Sequence, residues 1–213
     1  MNEEKKNSKG LLLVISGPSG AGKGTICKGL IKRNDFWLSV SATTRAPRDG
    51  EIDGQNYYFF KKEQFLDKIK DDDFLEYAEV YGNYYGTPKS NVIEKLEEGK
   101  DVILEIDIQG ALRIKETYPE GVFIFILPPS MEELKNRIIK RGSETPESLM
   151  TRFKSAYKEI NYVSKYNYAV VNDKLEEAVR KIESIIIAEK CSVERIQQNI
   201  FSKEGLIHEQ LYD

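Results

Sequence analysis

The chain has 213 residues and a formal net charge of −3, with 40% hydrophobic and 31% charged residues. This length and composition predict one globular domain with small insertions, and the charge argues against a general nucleic-acid-binding or anionic-membrane surface. The two cysteines, Cys27 and Cys191, are too few for a disulfide framework, so reduced thiols and a cytoplasmic location are expected. The start lacks the apolar core of a signal peptide, and the longest strongly apolar run, residues 122–127, is too short to span a bilayer.

Predicted strands and helices alternate along the chain. Short apolar runs predict four buried parallel strands at residues 11–15, 102–106, 122–127 and 168–171. Helices are predicted over residues 26–31, from Thr87 (N-cap) and Pro88 to a stop at Gly99, from Ser130 to about Lys140, from Thr145 to Ile160, and from Leu175 to Ile186. This alternation predicts a three-layer α/β fold with a mostly parallel sheet.

Two stretches interrupt the alternation. Residues 40–87 are rich in turns and aromatic side chains and predict a small β-rich insertion. Residues 130–160 concentrate basic side chains and predict a helical lid that carries positive charge. We expect both to close over the core when substrates bind, so that water is excluded.

A glycine-rich loop lies between the first predicted strand and the next helix. Its residues are Gly17, Pro18, Ser19, Gly20, Ala21, Gly22, Lys23, Gly24 and Thr25. This context is typical of a P-loop, whose backbone N–H groups bind phosphate while the lysine reaches the terminal phosphates of a nucleoside triphosphate. The alternative is a glycine-rich turn that merely joins a strand to a helix. The pattern departs from G-x-x-x-x-G-K-S/T because Gly24, not a hydroxyl residue, follows the lysine.

Two acids end the second predicted strand. Because side chains alternate along a strand, Glu105 and Asp107 are expected on the same side, at the edge where the P-loop opens. An acid at this place holds Mg²⁺ in P-loop enzymes, directly or through water, and one or two carboxylates suffice for this hard ion. The alternative is a strand end whose acids face solvent.

Arginines recur at two places. Arg137 and Arg141 lie four residues apart on one predicted helix, and Arg152 lies on the next. Such a set suits clamping the charge of a transferring phosphoryl group, although a solvated basic face is the alternative. Further upstream, Arg45 and Arg48 flank a proline and suit a single shared phosphate.

The predicted insertion also carries polar groups that suit a nucleoside monophosphate. Tyr57 joins the arginines as a phosphate ligand, and Glu76 suits the N1–H and amino donors of guanine. A hydroxyl of Ser41 or Thr87 can donate to the guanine O6. Each residue is weak support alone, because Thr87 is also a predicted N-cap and Tyr57 a strand aromatic.

Six ordered motifs make the chain resemble the guanylate kinase family, in its bacterial single-domain form, over residues 10–190. They are G-P-S-G-A-G-K-G-T at 17–25, S-x-T-T-R-x-P-R at 41–48, G-N-Y-Y-G-T at 82–87, E-I-D-x-Q-G at 105–110, R-G-S-E-T at 141–145 and V-N-D at 171–173. The resemblance implies a P-loop NTPase fold and the reaction ATP + GMP ⇌ ADP + GDP with Mg²⁺, a step in guanine nucleotide synthesis. It leaves residues 191–213 as a tail, which we expect to be helical.

The resemblance also implies roles for individual residues. Ser41, Glu76, Thr87 and Asp107 would face guanine, and Arg45, Arg48, Tyr57 and Tyr85 would grip the GMP phosphate. Lys23, Arg137, Arg141 and Arg152, with Arg45, would form the catalytic set around the transferring phosphoryl group. Asn172 and part of Arg137 would border the adenine of ATP, although Asn172 suits capping of the next helix equally well. With Gly24 in the P-loop, Mg²⁺ would be held mainly by phosphates and water.

Three rival functions are weighed against this one. A protein-binding module that lacks catalysis would often have an eroded P-loop, whereas this loop, the arginines and the acids are all present. A GTPase switch needs an N/T-K-x-D motif, which the residues at 172–175 do not supply. A kinase for AMP would not place a carboxylate such as Glu76 against N1 of adenine, which is an acceptor. The expected partners are ATP and GMP, with no nucleic acid and no membrane.

Overall fold

The computed structural model describes residues 9–80, 82–140 and 146–196. In chain order its elements are β1 (Leu12–Ser16), α1 (Lys23–Arg33), β2 (Trp37–Leu38), β3 (Ala42–Thr43), β4 (Tyr58–Phe59), α2 (Lys62–Lys70), β5 (Phe74–Val80), β6 (Asn83–Pro88), α3 (Lys89–Glu97), β7 (Val102–Glu105), α4 (Ile108–Thr117), β8 (Val122–Leu127), α5 (Met131–Lys140), α6 (Pro146–Ile160), a 3₁₀ helix (Asn161–Lys165), β9 (Tyr168–Val171) and α7 (Leu175–Lys190). Within these ranges, none of the helices combines the length and the apolar character needed to cross a membrane.

The central sheet has five parallel strands in the order β2-β7-β1-β8-β9. Its strands are apolar throughout because helices cover both faces. On one face Leu13 and Ile15 pack with α1 and α7, and on the other Leu12 and Val14 pack with α3 and α4. The three-layer α/β prediction is therefore confirmed, and the first strand begins one residue later than predicted.

A second, four-stranded sheet has the order β4-β3-β6-β5 and lies within the segment predicted to be β-rich. Helix α2 covers it, and the ring of Phe65 on this helix stacks on Phe74 with ring centroids 4.4 Å apart. Phe65 is fully buried, so this sheet has a small apolar core of its own. The sequence prediction contains no helix here, because aromatic runs on either side favour strands.

Two predicted helix caps are wrong. Thr87 belongs to β6, Pro88 occupies the N-cap position of α3, and the Thr87 hydroxyl donates to Glu76 instead of accepting a helix N–H. Lys174, not Asn172, occupies the N-cap position of α7, so the capping alternative for Asn172 is also wrong. In both cases the local sequence predicts a helix cap, but the polar side chain hydrogen-bonds instead to a residue distant in sequence.

Candidate functional site

The loop between β1 and α1 is folded as an anion-binding loop. Gly17 and Gly22 have φ values of 143° and 93°, which L side chains rarely adopt. A side chain on Gly17 would also overlap the carbonyl oxygen of Ile126 in β8. Gly22 is the N-cap of α1 and has no side chain that could cap the first N–H groups of the helix, which are of the kind that bind anions.

Lys23 lies across this loop. Its Nζ donates to the carbonyl oxygens of Gly17 at 2.6 Å and Pro18 at 3.2 Å, so the ammonium group is held over the loop rather than out in solvent. Lys23 also lines the cleft between the two sheets. Its positive charge is therefore close to both the loop and the cleft, and it would attract an anion bound in either place.

Asn172 and Arg137 support the other side of the loop. The buried Asn172 follows β9, and its Nδ2 donates to the Ala21 carbonyl oxygen at 2.8 Å. Arg137 of α5 donates from Nη1 to the Asn172 carbonyl oxygen at 3.1 Å and from Nε to Glu133 at 2.8 Å. The structure therefore brings two of the predicted ATP-site residues together beside the P-loop.

A cleft of about 260 Å³ opens between the two sheets. Charged and polar side chains from both sheets line it: Lys23, Ser41, Tyr57, Glu76, Tyr85, Glu105 and Asp107. Ala78, Val80, Gly86 and Ile106 supply apolar walls. A cleft with apolar walls and several convergent polar groups is typical of a small-molecule site.

Glu76 is the buried acid of this cleft, with 8% of its surface exposed. Its Oε1 accepts a hydrogen bond from the Thr87 hydroxyl at 2.7 Å, and its carboxylate rests on Gly110 of α4. Burial raises the pKa of Glu76 to about 7, and the nearby Asp107 carboxylate adds to this effect, while the Thr87 hydrogen bond and Arg113 oppose it. In its ionised form Glu76 is thus a buried acceptor for a ligand that brings N–H donors.

Arg45 lies beside two aromatic rings, one of which, that of Tyr57, lines the cleft. Its guanidinium carbon is 5.4 Å from the ring centre of Tyr57 and 5.8 Å from that of Phe59. The rings of Tyr57 and Tyr85 meet edge to face at 6.1 Å. Burial raises the pKa of the Tyr57 hydroxyl, which therefore remains a hydrogen-bond donor at neutral pH.

The two acids predicted as metal ligands both line the cleft. Glu105 ends β7, and a Cβ on Gly24 would lie 3.3 Å from both of its carboxylate oxygens. Asp107 is the N-cap of α4 and accepts from the Gly110 N–H at 2.8 Å. Among the described residues no cluster of three or more histidine, cysteine or acidic side chains could hold a metal by itself. Two hard carboxylates beside a phosphate loop suit a divalent cation whose other ligands are phosphates and water.

The sequence model of a family described as "Guanylate kinase" matches residues 9–189. The chain belongs to the guanylate kinase family. It is 77% identical over 206 residues to a guanylate kinase of Clostridium tetani, which covers 96% of this chain and 99% of the relative. It is 72% identical over 215 residues to a guanylate kinase of Clostridium perfringens strain SM101, with both chains fully covered.

A solved guanylate kinase, from Anaplasma phagocytophilum, has the same fold. It superposes with a TM-score of 0.76 at 36% identity, and the match covers 94% of this chain and 98% of that one.

Some predicted residues fall outside the described part of the guanylate kinase chain. Arg141 and the tail beyond residue 196 lie outside it, and so does the side chain of Arg152, although its backbone belongs to α6. The loop residue Thr25 is exposed on the first turn of α1. The side chains of the predicted lid are therefore described only in α5 and in α6 from residue 153 onwards.

Three residues with a clear place in the site are missing from the sequence predictions. Glu51 pairs with Arg45, and Gly110 supports Glu76. Glu159 of α6 accepts a hydrogen bond from the Ser19 backbone and lies near Lys23, while burial raises the pKa of its carboxyl. Glu51 could have been found from its spacing of three from Arg48, and Gly110 from the E-I-D-x-Q-G motif, but no local signal marks Glu159.

Proposed function

We infer that the protein is a guanylate kinase that transfers the γ-phosphoryl group of ATP to GMP, giving ADP and GDP. The observation that carries this function is the place of Lys23, which belongs to the P-loop and also lines the cleft that contains Glu76, Tyr57 and Tyr85. A triphosphate on the loop and a monophosphate in the cleft would therefore meet at one ammonium group. Membership of the guanylate kinase family supports the same reaction.

Guanine is the base that the cleft suits best. The ionised Glu76 presents a buried acceptor to the N1–H and amino donors of guanine, and Asp107 is a second acceptor nearby. Ser41 lines the same cleft and can donate a hydroxyl hydrogen to O6. In the free enzyme Thr87 would contribute indirectly to guanine binding, since its hydroxyl donates a hydrogen bond to Glu76.

The GMP phosphate would lie at the mouth of the cleft. Arg45, Tyr57 and Tyr85 are neighbours there, and Arg48 lies on the same loop. A planar guanidinium matches two phosphate oxygens at once, while each phenol adds one donor. These groups hold the attacking oxygen in line with the γ-phosphorus of ATP, which is most of what catalysis of this reaction requires.

ATP would bind along the loop from Gly17 to Thr25. The N–H groups at the start of α1 would bind its phosphates, and Asn172 and Arg137 lie beside Ala21, where the adenine would bind. We assign the lid arginines, Arg137 with Arg141 and Arg152, to the transferring phosphoryl group. ATP-dependent transfer in this family needs a divalent cation, and we propose Mg²⁺, with Glu105 and Asp107 as the available carboxylates; when bound it neutralises phosphate charge. The substrates and the two unpaired cysteines favour the cytoplasm as its location.

A panel of nucleoside monophosphates tests the function. We expect ADP formation from ATP and Mg²⁺ with GMP and little with AMP, CMP or UMP. Arg45→Ala should lower kcat/KM for GMP by about a hundredfold or more, because a charge-assisted phosphate contact is lost. Arg180→Ala, an exposed arginine on α7, is the matched control and should have no effect. Equal turnover with AMP would contradict the assignment of the base pocket, and no turnover with any nucleotide would contradict the function itself.

Gly110 offers a test of the guanine contact that leaves Glu76 in place. A Cβ at this position would lie 2.6 Å from Oε2 of Glu76, so Gly110→Ala should push the carboxylate out of position. We expect KM for GMP to rise about tenfold, with KM for ATP changed less than twofold. Steady-state kinetics of Gly110→Ala, Glu76→Gln and the double variant measure whether the two effects are coupled. If the effects of the two substitutions on KM for GMP are fully additive, Gly110→Ala does not act through Glu76.

A further inference from the structure

Glu51 lies in the loop between β3 and β4 and contacts both arginines of the proposed phosphate site. Its Oε1 accepts from Nη2 of Arg45 at 2.9 Å, and its Oε2 accepts from the backbone N–H of Arg48 at 2.8 Å. Its own N–H donates to the Arg48 carbonyl oxygen at 3.0 Å, which closes a turn over the same residues. The Glu51 carboxylate therefore links the Arg45 side chain to the backbone at Arg48.

Both partners of the ion pair are largely shielded from solvent. The side chains of Arg45 and Glu51 are 16% and 19% exposed, which is unusual for an ion pair on a loop. The hydrogen bond from Arg45 is the main cause that lowers the pKa of Glu51, and the Arg48 N–H adds to it. Glu51 therefore stays ionised at every pH at which the enzyme would work.

The remaining contacts of Arg45 leave room for a phosphate. The guanidinium has five N–H donors; Nη1 donates to the Ala46 carbonyl oxygen at 2.6 Å and Nη2 donates to Glu51. Tyr57 and Phe59 lie beside the group, and a hydrogen bond also links it to Tyr85. The contacts fix the plane of the guanidinium while donors of the same fork remain for a ligand.

We propose that Glu51 is a positioning residue, which holds Arg45 and the Arg48 loop in the geometry that binds the phosphate of the acceptor nucleotide. This role rests on the proposed function. Two effects of its carboxylate oppose each other: its charge repels a phosphate, while its hydrogen bonds remove the rotamer freedom of a long side chain. The ordering effect dominates, because the carboxylate is already hydrogen-bonded to the Arg45 guanidinium and to the Arg48 backbone N–H, so its negative charge is largely compensated before a phosphate binds.

Glu51→Gln tests which effect dominates, because it removes both the charge that repels phosphate and one of the two acceptor oxygens, and these changes have opposite effects on KM for GMP. We expect KM for GMP to rise about tenfold, kcat to fall less than threefold and KM for ATP to change less than twofold. Glu51→Asp restores a carboxylate and should recover part of the loss. Glu79→Gln is the matched control, because it makes the same charge change at an exposed position of β5.

Calorimetric titration with GMP and with guanosine distinguishes positioning from general damage to the fold. We expect Glu51→Gln to weaken GMP binding and to leave guanosine binding unchanged, since guanosine has no phosphate. Equal loss for both ligands, or a GMP affinity that stays the same or increases, would overturn the positioning role while wild-type turnover of GMP still supports the function. Wild-type protein that neither binds nor phosphorylates GMP would overturn both proposals.

Discussion

Lys23→Met should lower kcat for GMP phosphorylation by about a thousandfold or more, while KM for GMP changes less than about threefold. Methionine has a similar length and no charge, so it removes the ammonium group and keeps most of the packing. The loss appears in kcat because negative charge shifts between ATP and GMP only during transfer. Steady-state kinetics with both substrates varied measures the effect.

The structure shows how this lysine is held in place. Its ammonium is anchored by the Gly17 and Pro18 carbonyl oxygens, within the loop whose helix N–H groups would hold the phosphates. Lys28→Met, an exposed lysine on the same helix, is the control and should keep full activity. A Lys23→Met variant with kcat within tenfold of wild type would show that charge at this point is not needed.

Glu76→Gln should raise KM for GMP by about a hundredfold, because a guanine donor would then face the amide N–H₂ or lose its acceptor. The amide oxygen can still accept the Thr87 hydroxyl, so the sheet pairing of β5 and β6 is expected to persist. Turnover of GMP and AMP by the variant checks both affinity and choice of base. An unchanged KM for GMP would mean that Glu76 does not contact the base.

The same substitution should stabilise the free protein above neutral pH. The folded-state pKa of Glu76 is raised from 4.5 to about 7, mainly by burial, so this group favours folding when it is protonated. That contribution is fully present below pH 4.5 and is lost as the pH rises through 7. Glu76→Gln should therefore have the higher Tm at pH 8, with a difference from wild type that shrinks towards pH 5.

GMP binding by the wild-type protein should become stronger as the pH rises, whereas the contribution of Glu76 to folding stability becomes weaker. Only the ionised Glu76 accepts hydrogen bonds from both guanine donors, so KM for GMP should rise as the pH falls from 8 to 6. Thermal unfolding and steady-state kinetics over this pH range check the direction of both effects, on Tm and on KM for GMP. A Tm difference between Glu76→Gln and wild type that grows towards pH 5 would contradict the raised pKa.

The central sheet was predictable because its strands are buried on both faces. Runs such as 122–127 contain no polar residue, so their identity as parallel strands follows from composition and length. The second sheet was harder, since its strands β3 and β4 have two residues each and its helix α2 lies between aromatic runs. Short elements of this kind are specified by packing around Phe65 rather than by local pattern.

The candidate site was predictable where one short segment carries both loop and ligand groups. The P-loop is such a segment, and its glycines, lysine and helix start lie within residues 17–25. Contacts between segments were not predictable in the same way. The Thr87 hydroxyl suits a cap locally but donates to Glu76, eleven residues away, and Gly110 of α4 matters because the carboxylate of Glu76 approaches it from the second sheet.

The most direct test of the account supplies ATP with a radioactive γ-phosphate, Mg²⁺ and GMP, and follows the label. The proposed reaction predicts that it appears in GDP, with little inorganic phosphate, and that Lys23→Met abolishes the transfer. Label released as inorganic phosphate, or transferred to AMP in preference to GMP when both are present, would contradict a P-loop and a guanine-binding cleft that act together on one phosphoryl group.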